Sequence, residues 1–139
     1  MDRDKPLARE GYELMAAAFE VHREQGGGMA EGIYQECLEL ELASRGIPFE
    51  AQRPLRVHYK SHELQARYVP DLMVYGMIVV ELKAVAALVP EHEGQLLNYM
   101  RVTKSPVGYL INFGPLGKLE WKRYVLSEFI RQTPASEAS

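Results

Sequence analysis

Cysteine is nearly absent: Cys37 is the single one in 139 residues, so the chain cannot build an internal disulfide framework or a thiolate zinc cluster. Set among helix-forming residues, Cys37 reads as a buried, inert thiol. Long apolar runs are also missing. Nothing approaches the roughly 20 residues that cross a bilayer, and the opening MDRDKPLARE is too polar and too acidic for a signal peptide. A cytoplasmic protein without membrane contact is the expectation. Nor is there an excess of positive charge, since 16 Lys and Arg stand against 19 Asp and Glu for a formal net charge of -3. Any binding to nucleic acid must then rest on a local basic patch or on metal ions, not on a global basic field.

Several chemical signatures fail on inspection. His92-Glu93 begins H-E-x-x-H, but Leu96 stands where the second histidine belongs, which removes a zinc protease. Gly26 to Gly28 are not followed by G-K-[ST], so they form no phosphate-cradling P-loop. His22, His58, His62 and His92 show no metal-ligand spacing, and solvated or capping roles are expected of them.

What is present is the material of a core. With 47% hydrophobic and 25% charged residues, the composition suits one globular domain, placed over residues 1–126, with 127–139 as a frayed tail. From Pro6 to about Glu24, the residues Leu7, Gly11, Leu14, Met15, Ala18, Phe19 and His22 recur at helical spacing, with Pro6 at the first helical position. A second helical pattern runs through Ile33, Cys37 and Leu40 to a stop at Gly46 and Pro48. The period then changes to two. Leu55, Val57 and Tyr59 alternate with Arg56, His58 and Lys60; Ser61 and His62 turn the chain into ELQARYV; Asp71 to Tyr75, a turn at Gly76 and Met77 to Lys83 complete a meander. A third helix from Pro90 to about Thr103, a buried strand VGYLINF, a turn GPLG and an edge strand KLEWKRYVL follow. Because the third helix crosses from strand to strand, the fold class is α/β, with a mixed sheet of four to five strands flanked by helices.

Within YVPDLMVYGMIVVELKA, Tyr68 to Ala84, three charges interrupt what otherwise reads as two buried strands. Side chains alternate faces along a strand, so Glu81 and Lys83 project from the same face. Antiparallel pairing across Gly76 could bring Asp71 beside Glu81. Two carboxylates with a nearby lysine suit a hard divalent cation, which takes oxygen ligands and can activate water against a phosphodiester. E-x-K alone is more often a solvated strand face or a salt bridge; here Ile78, Val79, Val80 and Leu82 indicate a strand covered on both faces, where unpaired charge is expensive. Two helical motifs add to it. Gly28, Glu31 and Tyr34 spell G-x-x-E-x-x-Y, which puts Glu31 and Tyr34 on one helix face, and Gln95 and Tyr99 in QLLNY are likewise stacked on the third helix.

In this order, the motifs resemble the GxxExxY protein family of the PD-(D/E)xK nuclease superfamily, and the resemblance covers about Leu7 to Val125. It implies a restriction-endonuclease-like core and an Mg²⁺- or Mn²⁺-dependent nuclease. Asp71 and Glu81 would be metal ligands, with the carbonyl of Leu82 and the carboxylate of Glu31 as further ligands, and Lys83 would position or activate the attacking water. The Q-x-x-x-Y element is similar to that of RecB-type nucleases, which adds Gln95 to the catalytic set and Tyr99, with Tyr34, to nucleic-acid contact. One departure is GGGMAEG where relatives tend to carry GPGLLES, which predicts a looser start to the helix bearing Glu31. Arg53, Arg56, Lys60 and Arg67 form a local basic patch that could contact phosphates, DNA more than RNA, although such residues more commonly keep an exposed edge soluble. The strand around Trp121 could serve a homodimer. The alternative to an enzyme is a nuclease-like fold kept as a nucleic-acid or protein interaction module without turnover.

Overall fold

The helical and strand periods of the sequence resolve, in a computed structural model describing residues 5–132, into three α-helices and seven strands. Helix α1 (Ala8–Gln25) buries Leu14, Met15, Ala18, Val21 and His22 along one face, the spacing of an amphipathic helix. Pro6 lies in the turn before it, and Leu7 caps it in a left-handed conformation, φ 58°. Phe19, expected on the buried face, is exposed. Helix α2 (Glu31–Ser44) buries Tyr34, Leu38 and Leu42, whereas Ile33 and Leu40 are exposed and Cys37 is half-buried. The core therefore meets a face one to two residues on from the expected one, where Tyr34 stacks on Phe113 of the chain's second half at 4.7 Å.

Strands β1 (Phe49–Ala51), β4 (Leu72–Val74), β5 (Ile78–Lys83), β6 (Val107–Asn112) and β7 (Glu120–Val125) form one mixed sheet in the order β1-β4-β5-β6-β7. β2 (Leu55–Tyr59) and β3 (His62–Tyr68) pair only with each other, as a separate antiparallel hairpin. The expected meander is corrected accordingly: the hairpin leaves the sheet, and the unanticipated β1 takes the place beside β4. β3 is exposed at every position but its last, so it has no apolar face to bury in a sheet interior. Phe49 and Ala51 of β1, by contrast, pack on the main core. Helix α3 (Pro90–Thr103) is the crossover between the parallel strands β5 and β6, a connection that parallel pairing requires. The architecture is that of a restriction-endonuclease-like core.

Helices α1 and α2 cover the sheet face carrying Leu72, Val80, Leu82 and Ile111, and α3 covers the face carrying Met73, Val79 and Leu110. By alternation, Glu81 and Lys83 share the α3 side with Val79. Residues Ser127–Gln132, expected to begin a frayed tail, form a 3-10 helix; residues 133–139 lie outside the described residues. No described helix is long and apolar enough to cross a membrane.

The glycine run before α2 is closed, not loose. Gly26 and Gly28 have φ of 71° and 88°, a region that side chains other than glycine's rarely adopt. A Cβ at Gly27 would lie 2.2 Å from the Pro115 carbonyl oxygen. The Tyr34 hydroxyl donates to the Gly26 carbonyl at 2.6 Å and accepts the Met29 N–H at 3.0 Å. His22, expected to be solvated or capping, is buried and meets the Pro115 carbonyl at 2.9 Å. Gly27→Ala should therefore cost about 1–3 kcal/mol and lower Tm by roughly 3–12 °C. Gly32→Ala, in α2 with open space around the new methyl group, should instead stabilise by about 0.5–1 kcal/mol; thermal melts of the two variants check the contrast.

Candidate metal and catalytic centre

Glu81 lies on β5, between antiparallel β4 and parallel β6. The pairing Leu72↔Val80, extended by one residue, sets Asp71 opposite Glu81 just before β4 begins. The two carboxylates are held by reciprocal backbone bonds. Glu81 Oε2 accepts the Asp71 N–H at 2.8 Å, and Asp71 Oδ2 accepts the Leu82 N–H at 2.7 Å. Glu81 is 3% exposed, deep enough that water cannot supply the rest of its solvation.

This environment opposes ionisation. Burial, followed by the charge of Asp71, pushes the Glu81 carboxyl up to about 8, against the Asp71 N–H bond and Lys83. Burial likewise raises Asp71 to about 6, opposed by the Leu82 N–H, with Glu31 adding to the rise and Lys83 reducing it. The pair offers hard oxygen donors whose ionised forms are only partly supported by Lys83, a donor set that suits a hard divalent cation.

The α3 wall completes the site. Lys83 Nζ donates to Gln95 Oε1 at 3.1 Å, and Gln95 Nε2 donates to the Tyr99 hydroxyl at 3.2 Å. Burial raises the Tyr99 phenol above its ordinary range, and the Glu81 charge adds to this. Asp71, Glu81, Lys83, Gln95 and Tyr99 are thus brought together as expected from the sequence. Glu31 begins α2, exposed, and reaches the pair through its charge. Among the described residues no group of three or more His, Cys, Asp or Glu is disposed to hold a metal ion, so Glu31 is not a third close ligand. Leu82 offers its N–H to Asp71, while its side chain is fully buried toward α1 and α2.

Tyr34, expected to touch nucleic acid, is corrected: it is fully buried and its hydroxyl ties the glycine loop. The basic patch lies on and beside the hairpin, partly neutralised. Arg53 sits 3.6 Å from Glu50, Arg56 and Arg67 sit 3.9 and 3.0 Å from Glu63, and Lys60 lies over the Tyr59 ring. Three supporting residues escaped sequence reasoning. Gln35 Nε2 donates to the Asp71 carbonyl at 3.1 Å, which also accepts the Gln52 N–H at 3.1 Å. Buried Asn112 bonds both the N–H and the carbonyl of Val85, pinning the chain after β5. For Gln35 a signal exists, since it lies one helical turn after Glu31 on the same face.

A mixed sheet flanked by helices, with a carboxylate and a lysine on its central strand and a second carboxylate just before the strand beside it, defines a nuclease-like α/β fold. The chain belongs to the PD-(D/E)XK nuclease superfamily, whose family description matches residues 8–124. Among solved structures, the chain resembles the crystal structure of SSO0001 with a TM-score of 0.55 at 15% identity, over 77% of this chain and 57% of that one. At that identity the likeness speaks for the fold, and this chain spans little more than half the length of that protein. Among curated proteins nothing matches.

Raised carboxyl pKa values mean that the folded state holds protons which the unfolded chain has released. The stability they confer is full below the ordinary carboxylate range and is lost as pH rises through about 6 for Asp71 and about 8 for Glu81. With divalent ions chelated, Tm should fall from about pH 5 to about pH 8. Glu81→Gln, which keeps an acceptor for the Asp71 N–H without the charge, should remove the upper part of that fall.

Proposed function

We propose that the chain is a metal-dependent nuclease that hydrolyses phosphodiester bonds in nucleic acid, DNA more than RNA. The observation carrying the proposal is the facing pair of half-buried Asp71 and buried Glu81, each carboxylate fixed by a backbone N–H. Mg²⁺ or Mn²⁺ bound there would lower the pKa of a water and offset charge on the attacked phosphodiester.

The chain's own groups hold and orient. Asp71 and Glu81 present oxygens that the backbone bonds stop from turning away, and the Leu82 carbonyl adds a further donor. Lys83, steadied by Gln95, sets its terminal nitrogen where it would orient the attacking water and stabilise negative charge developing on it. Glu31 orients a water at the outer side of the pair. Arg53, Arg56, Lys60 and Arg67 contact phosphates along the strand. The finer placement, in the GxxExxY family, rests on Gly28, Glu31, Tyr34, Gln95 and Tyr99. The proposal includes a cytoplasmic location and a single domain over 1–126. It also includes a homodimer through the β7 edge, where Tyr12, Phe19 and Trp121 line an apolar groove of about 630 Å³.

One observation favours a second reading, a non-catalytic nucleic-acid or protein interaction module: Glu31 does not close on Asp71 and Glu81 as a third ligand. A cleavage assay on single-stranded, duplex and branched DNA and on RNA separates the two. Cleavage should require Mg²⁺ or Mn²⁺, and Asp71→Ala and Lys83→Ala should each lower the rate by at least about 100-fold. Activity that survives both substitutions would sink the nuclease assignment. Binding without metal and without turnover by the unmodified chain would favour the module.

A further inference from the structure

Beside the catalytic wall lies a second concavity of about 560 Å³, open to solvent and lined by Tyr68, Glu91, His92, Gln95, Asn98 and Tyr99. We infer that this groove is a nucleobase subsite, taking one unstacked base of the strand whose phosphate sits at Lys83; the inference rests on the nuclease reading above.

Three observations carry it. The first is continuity with the site. Gln95 holds Lys83 with its carbonyl oxygen and the Tyr99 hydroxyl with its amide nitrogen, so one side chain is both the outer wall of the catalytic centre and the inner wall of the groove. The second is an aromatic platform. The half-buried ring of Tyr68 leans on that of Tyr99 at 5.0 Å between centroids and 53° between planes. Tyr99 is nearly buried and packed on Met73, Leu96 and Met100. Tyr68 is thereby backed by a rigid neighbour while still bordering the groove, as a stacking surface requires.

The third is the chemistry of the lining. It contains no lysine or arginine, and Glu91 places a carboxylate in the first turn of α3. That composition repels a phosphate and admits a neutral base. Asn98, whose Oδ1 accepts from Arg101 at 3.2 Å, keeps its NH₂ for a base edge. Tyr68 ends β3, so a strand following the basic hairpin would arrive at this groove next. A base inside a duplex is paired and stacked on both faces, hence the groove selects single-stranded segments, flaps or frayed ends over continuous duplex.

The test is binding of oligonucleotides containing 2-aminopurine, with metal chelated so that no strand is cut. The unmodified chain should quench the probe and bind single strands about tenfold more tightly than duplex; Tyr68→Ala should weaken single-strand binding about tenfold and abolish the quench, and Tyr68→Phe should stay within about twofold. Because Tyr68→Ala removes packing, Asn98→Ala on the exposed side of α3 is measured beside it, with an expected loss of about fivefold. Equal affinity for duplex and single strand, or unaltered binding in both alanine variants, overturns the subsite. Metal-dependent cleavage by the unmodified chain is read separately. Cleavage that is indifferent to Tyr68 and Asn98 leaves the nuclease and removes the subsite, whereas Tyr68-dependent binding without cleavage leaves the subsite and removes catalysis.

Discussion

Two facing carboxylates, Glu81 on β5 and Asp71 just before β4, each accept a backbone N–H from the other's segment, and the remainder of the site is arranged around that exchange. Glu81 takes the N–H of Asp71, and Asp71 takes the N–H of Leu82, the residue after Glu81. The exchange exists only in the register that pairs Leu72 with Val80. A slip of one residue would send Glu81 and Lys83 to the α1 and α2 face and Leu82 to the α3 face, placing charge in the main core and an apolar side chain in the site. The hydrophobic pattern of β5 and the chemistry of the site therefore specify the same register. Neither could be changed without the other.

Supports reach the pair from both layers of helices. From α2, Gln35 binds the carbonyl of Asp71, beside the N–H of Gln52 from the chain after β1, so the backbone carrying the first carboxylate is fixed at both its N–H and its carbonyl. From α3, Gln95 steadies Lys83. Asn112, ending β6, ties down Val85 two residues beyond Lys83. The closed glycine loop belongs to the same scaffold. By packing Gly27 against Pro115 and bonding Gly26 to Tyr34, it sets where α2 begins and so where the Glu31 charge lies. A 139-residue chain has few layers available, and here the same helices make the core and the second ring of contacts around the site.

What the sequence made legible is what depends on local period and local punctuation. Helix α3 runs from Pro90 to Thr103 because proline suits its first turn and Ser105-Pro106 ends it. The common face of Glu81 and Lys83 follows from alternation alone. What stayed hidden depends on partners distant in the chain. Leu55, Val57 and Tyr59 alternate equally well in a main-sheet strand and in a detached hairpin, and only the apolar poverty of β3 excludes the former. Ile33, Cys37 and Leu40 match helical spacing as well as Tyr34, Leu38 and Leu42 do, until Phe113 supplies a stacking partner for Tyr34. The glycine run looked permissive because the Gly114-Pro115 turn against which Gly27 packs comes nearly ninety positions later.

Charge connects the proposed metal and the proposed substrate. The chain carries a net charge of -3, and the hairpin's basic residues are partly balanced by Glu50 and Glu63. The ion pairs of Arg53 and Arg56 are exposed, weak and screened by salt, so both arginines could turn to phosphate at little cost, whereas Arg67 is also tied to the carbonyls of Leu64, Gln65 and Ala66. The interior of the site is different. Burial pushes the Asp71 and Glu81 carboxyls up, the exposed Glu31 adds to the rise, and Lys83 offsets it only in part. A dication held by Asp71 and Glu81 would favour their ionised forms and supply the positive charge that a bound phosphate needs, while leaving the hairpin unchanged. In the proposed nuclease, metal binding and strand binding at the scissile phosphate would then be coupled. Contacts along the hairpin and in the Tyr68 groove would not depend on the ion, because the residues that line them lie outside the Asp71–Glu81 pair.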